Sequence, residues 1–182
     1  GYTGQMMEPI EFGEPVMNLK NNNWALYGDA ESKKNLISRI YLDPDELEQH
    51  NRKLQEKYKK IEQDEVRFEE FMLDDAEYVV MGYGIVSRIL KTVVEKLREE
   101  GVKIGLLRPV TLFPFPKQKL LELAEDVKKI LVVELNNGQM VDDVKLAVLG
   151  KCPVEFYGRM GGVVPSMPEL SEVAKKLIDE VN

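Results

Sequence analysis

A four-residue apolar run, Tyr78-Val79-Val80-Met81, passes through Gly82 and Gly84 into a stretch whose apolar residues fall at helical spacing: Ile85, Ile89, Val93 and Leu97, with Val86, Leu90 and Val94 beside them. A strand that is apolar at every position, rather than at alternate ones, is covered on both faces, as strands inside a parallel sheet are. Glycines at its end let the backbone reverse where a Cβ would clash. The following stretch carries Arg88, Lys91, Glu95, Lys96, Arg98 and Glu99 on its other side and closes at Gly101. It reads as a helix lying with one face on that sheet. Together they make the first βα unit.

Three further units follow. The second is Val102 to Pro109, a connection holding Pro109, Pro114 and Pro116, and a helix from about Lys117 to Val127. The third is Lys129 to Glu134, then Leu135 to Gln139, then a helix from about Met140 to Leu149 whose buried face is predicted to carry Met140 or Val141, Val144, Ala147 and Val148. The fourth is Pro153 to Tyr157, a loop from Gly158 to Met167, and a helix opened by Pro168 with Leu170, Val173, Ala174, Leu177, Ile178 and Val181 inward. Strand starts near residues 78, 103, 129 and 154 lie 25 or 26 residues apart, the length of one βα unit, so the sheet is predicted to be parallel or mostly parallel.

Upstream the signals differ. Residues 1–42 read as loop, with a short strand at 24–27 and Trp24 as a packing anchor. At Asp43-Pro44-Asp45-Glu46 an N-cap acid, proline at the first helical position and an acid at the third start a helix. Of the 33 residues from Asp43 to Asp75, 18 are charged, and Leu47, Leu54, Tyr58, Ile61, Phe68 and Met72 form a narrow seam. That spacing predicts a charged helix running to about Glu70 and docked along the seam. His50, the only histidine, has no metal-ligating partner nearby in sequence and reads as structural. The expected division is 1–42, the end of a preceding domain and a linker; 43–75, the charged helix; and 76–182, the α/β domain.

Composition narrows the function. With 25 basic and 32 acidic residues, a formal charge of −7 and no dense Lys/Arg cluster, no nucleic-acid partner is expected. No apolar run approaches the roughly 20 residues of a bilayer span. The chain starts without Met or a signal segment and has one cysteine, Cys152, so it is expected to be part of something longer in a reducing cytoplasm. In an open α/β sheet, ligands and partners meet the carboxyl ends of the strands. The candidate edge there comprises Gly82, Gly84, Arg108, Phe113, Phe115, Asn136, Asn137, Gly138, Gln139, Gly161 and Gly162. Leu112, Phe113 and Phe115 are expected to expose an apolar patch. Gly82-x-Gly84-x-x-Ser87 is a partial dinucleotide fingerprint, but Ser stands for the third small residue, and Arg108-Pro109 ends the strand where a ribose-binding acid is expected. Glu134 with Asn136 to Gln139 suits either an anion or backbone contact or an ordinary turn. The chain shows no Walker lysine, no Gly-x-Ser-x-Gly, no Cys-x-x-Cys and no paired histidine. No catalytic, cofactor-binding or metal residue is therefore predicted, and a free-standing nucleotide- or anion-binding module is the alternative reading.

Several stretches together are specific: Gly1-Tyr-Thr-Gly-Gln-Met-Met-Glu-Pro, Glu56-Lys-Tyr, Glu65-Val-Arg-Phe-Glu, Gly82-Tyr-Gly, Leu107-Arg-Pro-Val-Thr-Leu-Phe-Pro-Phe-Pro, Val133-Glu-Leu-Asn-Asn-Gly-Gln-Met and Gly161-Gly. The chain resembles the C-terminal part of the α-type subunit of 2-oxoacid:ferredoxin oxidoreductases, in particular the 2-oxoisovalerate type. The resemblance implies a transketolase C-terminal-like, three-layer α/β/α domain, its sheet mostly parallel with one antiparallel strand. It implies a complete enzyme that oxidatively decarboxylates a 2-oxoacid with coenzyme A, thiamine diphosphate, Mg²⁺ and iron–sulfur clusters, and reduces ferredoxin. It carries no catalytic residue onto this stretch. The partners it implies are other domains and subunits of the oxidoreductase, with ferredoxin met through the complex.

Overall fold

The computed structural model describes residues 11–15, 23–38 and 40–179. Contacts divide the chain between Tyr58 and Lys59 into two compact units. In the first, a short 3₁₀ turn, Ser32–Asn35, is held by local bonds: Asp29 Oδ1 accepts from the Ser32 amide at 2.6 Å, and Asn35 Nδ2 donates to the carbonyls of Asn23 and Ala25 at 2.6 and 2.9 Å. No strand forms at 24–27, and Trp24 is 74% exposed, so it is not the packing anchor the sequence suggests. His50 stacks on Tyr41, and its Nδ1 and the Tyr41 hydroxyl share a hydrogen bond of 3.0 Å, which accounts for the ring within the chain.

Helix α1, Pro44–Asp64, starts where predicted, with Asp43 Oδ1 accepting the amides of Asp45 and Glu46 at 2.8 and 3.2 Å. It stops six residues short of the expected Glu70. Phe68–Phe71 instead forms strand β1, paired antiparallel to the third strand. Phe68 matches the helical seam, but it also matches the alternation Val66-Arg67-Phe68 of an edge strand, and pairing decides between the two periods. No α1 side chain is fully buried; Leu47 and Tyr58 are about 40% exposed, and Leu54 and Ile61 are half-buried.

The α/β part continues with β2 (Tyr78–Met81), α2 (Gly84–Glu99), β3 (Ile104–Pro109), α3 (Lys117–Asp126), β4 (Lys129–Glu134), α4 (Met140–Val148), β5 (Val154–Gly158) and α5 (Met167–Asp179). The sheet order is β1-β3-β2-β4-β5, all parallel except β1. The single antiparallel strand is thus the one the sequence pattern assigns to the helix. Strand residues alternate between two cores. Val79, Met81, Leu107, Ile130 and Val132 pack with α3 and α4, while Tyr78, Val80, Leu106, Leu131 and Val133 pack with α2 and α5. This is the three-layer α/β/α fold expected.

The predicted inward face of α4 holds: Met140, Val141, Val144, Ala147 and Val148 are all buried. In α5, Leu170, Ala174 and Leu177 are buried, and Val173 and Ile178 pack beside them; Val181 lies outside the described residues. Each fully buried Leu, Ile or Val contributes about 1.5–3 kcal/mol, so the two cores fix the sheet on which the loops stand. Among the described residues no helix is long and apolar enough to cross a membrane.

Candidate functional site

The helix after β2 leads to β3 and the helix after β4 leads to β5, so the chain departs in opposite directions from two neighbouring strands. The carboxyl ends of β2 and β4 therefore form the switch point where open α/β sheets usually bind ligands. Glu134, the last residue of β4, is 1% exposed there. Its Oε1 accepts the amides of Val141 at 3.0 Å and Gln139 at 3.3 Å, and its Oε2 accepts the Met140 amide at 2.9 Å and Asn136 Nδ2 at 3.0 Å. Asn136 Oδ1 in turn accepts the Gly138 amide at 2.7 Å. A negative group at a helix N-terminus is favoured by the aligned peptide dipoles and fills the free N–H positions.

The positive end of α4 is thus occupied by the chain's own carboxylate. The amides of Gly138, Gln139, Met140 and Val141 are all spent within the chain, which favours the turn over an exogenous anion there. Tyr83 stands beside this loop; burial, then the charge of Glu134, pushes its phenol above the ordinary value, partly offset by a hydrogen bond with Asn136.

Gly82 and Gly84 make the β2-to-α2 turn, and the space at Gly82 is taken. A Cβ on Gly82 would lie 2.8 Å from Val86 Cγ1, 2.9 Å from Leu90 Cδ1 and 3.2 Å from the Val133 carbonyl. The glycine serves close packing of helix on strand, and Ser87 Oγ is spent on the Gly84 carbonyl at 2.8 Å. Arg108 lies within β3 and faces the α2 side, where its Nη1 meets Glu69 Oε2 at 2.7 Å and its Nε is enclosed without a hydrogen-bond partner. It lines an open groove of about 620 Å³ with Ser87, Arg88, Lys91, Glu69, Glu70 and Glu95. The three cations there are matched by three carboxylates, so the groove has no net charge with which to draw an anion.

The proline-rich connection lies on the other face. Thr111 ties it down: its Oγ1 accepts the Arg67 amide at 3.0 Å and donates to the Pro114 carbonyl at 2.8 Å, and the amides of Val110 and Thr111 reach the Arg67 carbonyl at 2.9 and 3.1 Å. The Phe113–Pro114 peptide is cis. The two rings beside Pro114 part company: Phe113 is 62% exposed, whereas Phe115 is 7% exposed and belongs to the α3/α4 core. Phe115 is therefore removed from the predicted apolar patch, which consists of Val110, Leu112 and Phe113. Val66, Phe68, Leu112, Phe113, Phe115 and Pro116 line an open groove of about 570 Å³, rimmed by charged residues that include Glu62, Lys117 and Lys119.

The last loop, after β5, carries Gly161 and Gly162 at φ +67° and +83°, both exposed. Its base is closed by Glu169, which meets the Tyr157 hydroxyl, Arg159 Nε at 3.2 Å and the Ser166 amide at 3.3 Å, while Ser166 Oγ accepts the Glu169 amide. This capping box starts α5 at Met167, one residue before the predicted Pro168. The Tyr157 hydrogen bond, with that of the Ser166 amide and the charge of Arg159, holds the Glu169 carboxyl below its ordinary value. Gly158 packs directly against the Asn136 carbonyl, so the loops after β4 and β5 touch.

Residues 76–170 match the family model of the pyruvate:ferredoxin oxidoreductase core domain II. The chain belongs to this family. It is 47% identical to the ketoisovalerate oxidoreductase subunit VorB of Methanothermobacter marburgensis over 96% of the chain and 49% of that protein. The chain thus spans about half the length of the curated relatives it matches. Its fold superposes on 2-oxoglutarate:ferredoxin oxidoreductase from Magnetococcus marinus, solved with 2-oxoglutarate, coenzyme A and succinyl-CoA bound, with a TM-score of 0.69, 19% identity, and coverage of 86% of this chain and 29% of that one. A split-gene transketolase, described as an inactive beta4 tetramer, matches with a TM-score of 0.51 and 15% identity over 60% of this chain and 40% of that one. The transketolase-like fold is thereby established.

Within this core domain II, the residues that close the rim are partly absent from the predicted set. Thr111 and Glu169 gave no signal beyond a hydroxyl among prolines and an acid three residues after Ser166. Glu134 gave a clearer one, a carboxylate ending an apolar strand, Lys129-Ile-Leu-Val-Val-Glu134, whose pattern demands burial.

Proposed function

We propose that this chain is a non-catalytic C-terminal portion of a subunit of a thiamine diphosphate-dependent 2-oxoacid:ferredoxin oxidoreductase, serving structure and subunit contact, with 2-oxoisovalerate as the substrate of the whole enzyme. The observation that carries the reading is the 47% identity to the ketoisovalerate oxidoreductase subunit over 96% of the chain. In this reading residues 1–42 are the end of a preceding domain and its linker, and the charged helix leads into the core domain. The rim of Gly82, Gly84, Asn136 to Gln139, Gly161 and Gly162, with Phe113 as its apolar part and Arg108 on the other face, meets other domains or subunits. Ferredoxin is met through the complex, in the cytoplasm.

The described residues do not suit an iron–sulfur cluster, nor a diphosphate at the start of α4 or α2. An iron–sulfur cluster takes four thiolates, and the single Cys152 is buried, with its thiol pushed up by that burial. A diphosphate at α4 meets a helix end already filled by Glu134, and at α2 a glycine whose missing Cβ makes room for Val86 and Leu90. In this reading the clusters and the diphosphate are held elsewhere in the assembly. The test is to purify the complete polypeptide with its associated subunits and assay coenzyme A-dependent reduction of ferredoxin with 2-oxoisovalerate, 2-oxoglutarate and pyruvate. Turnover is expected with the branched-chain acid foremost. An assembled complex that oxidises none of the three overturns the reading.

A further inference from the structure

The first compact unit presents an unusual surface. Between Asn23 and Leu42, six large apolar side chains stand more than half exposed: Trp24 74%, Leu26 53%, Leu36 61%, Ile37 89%, Ile40 76% and Leu42 92%. Single exposed apolar residues are ordinary, but a run of this density on 20 residues is the mark of a surface made to be covered. The segment is also shaped: the Tyr27 amide bonds Ser32 Oγ at 2.9 Å, Ser32 bonds Asp29, and Asn35 reaches back to Asn23 and Ala25. These bonds fix the backbone turn that presents the apolar side chains.

We propose that residues 23–42 are a docking arm whose occupant is the half of the polypeptide that the relatives carry outside the matched span. The inference rests on the reading of this chain as part of a longer subunit. The match to the ketoisovalerate oxidoreductase subunit covers 96% of this chain, arm included, and only 49% of that protein. A surface on the same polypeptide is met at the effective concentration of a tether, millimolar for a short one, whereas a second copy or a separate chain is met at its free concentration. The arm's own charges, Asp29 and Glu31 against Lys33, Lys34 and Arg39, leave a net of only one positive charge, which suits an apolar contact rather than electrostatic capture.

The experiment places a photo-cross-linking phenylalanine derivative at Ile37 of the complete polypeptide in its native complex and maps the products by mass spectrometry. Cross-links within one polypeptide, to peptides outside residues 1–182, are expected. Cross-links to another subunit, to a second copy of residues 1–182, or to nothing overturn the arm. As a second measurement, the Ile37→Ser/Ile40→Ser variant is expected to lower the thermal midpoint of the complete polypeptide by several degrees while leaving that of the 182-residue chain unchanged. Equal midpoints in the complete polypeptide overturn it as well. The decarboxylation assay does not depend on where Ile37 lies, so an active enzyme with misplaced cross-links sinks the arm alone.

Discussion

Two loops at the carboxyl end of the sheet are built in opposite ways. The loop after β4 is polar in sequence, Asn136-Asn-Gly-Gln139, and turns its polarity inward: Glu134 and Asn136 consume four amide donors and leave little to offer outward. The loop after β3 is apolar, is held by Thr111 and the backbone bonds of Val110 and Thr111 to Arg67, and shows Val110, Leu112 and Phe113 to solvent. A polar loop in this domain is therefore framework, and an apolar one is surface. Composition alone suggests the reverse assignment, since polar loops are the usual place to look for binding groups.

The largest test of that contrast is within the apolar loop itself. Phe115→Ala is expected to destabilise the chain by about 3–5 kcal/mol, the ordinary cost of removing a buried ring, measured by urea unfolding. A loss under about 1 kcal/mol would return Phe115 to the surface patch. Next comes the polar loop: Glu134→Ala strands three amides and an Asn side chain in a buried place and is expected to cost roughly 2–3 kcal/mol. Glu134→Gln, which keeps an acceptor, should recover part of it. If both variants are as stable as the parent, the carboxylate is not framework and the loop is again a candidate binding site.

Phe113→Ser is expected to change the stability of the 182-residue chain by no more than about 0.5 kcal/mol. The same variant should weaken subunit assembly in the complete enzyme, read by analytical ultracentrifugation, and full assembly would show that this ring is not part of the contact. The smallest effect concerns the loop after β5. The Glu169 carboxyl is held below its ordinary value of 4.5 in the folded chain, chiefly by the Tyr157 hydroxyl. Its contribution is present above that ordinary value and is lost as pH falls through the lowered folded value. Glu169→Gln should therefore flatten the acid limb of the stability profile and leave its shape unchanged near neutrality. An unaltered acid limb would mean that the hydrogen bond to Tyr157 does not hold the loop.

The parts of the fold legible in the sequence are those where one period is unopposed. Tyr78 to Met81 is apolar throughout and Met140 to Val148 repeats at helical spacing, and both form as read. Val66 to Phe71 satisfies two periods at once, and its state is fixed by β3, some 40 residues away, through pairs such as Glu69 with Arg108. Phe113 and Phe115 are indistinguishable by type and lie two apart; only the turn at Pro114 sends one ring into the core. Trp24 misled for a related reason: a large apolar side chain predicts burial against something, and the described residues offer it little cover.

The reversed first strand also decides how the domain is wired. Because β1 runs against its neighbours, the chain enters this domain at the rim from which the four parallel strands exit, and α5, following β5, carries it back toward the far side. Entry and loops share one pole, and the departing helix ends near the other. A fluorophore or affinity handle attached after Asp179 thus sits about a strand length, roughly 17 Å, from the rim, and can report on what happens there without standing in the way.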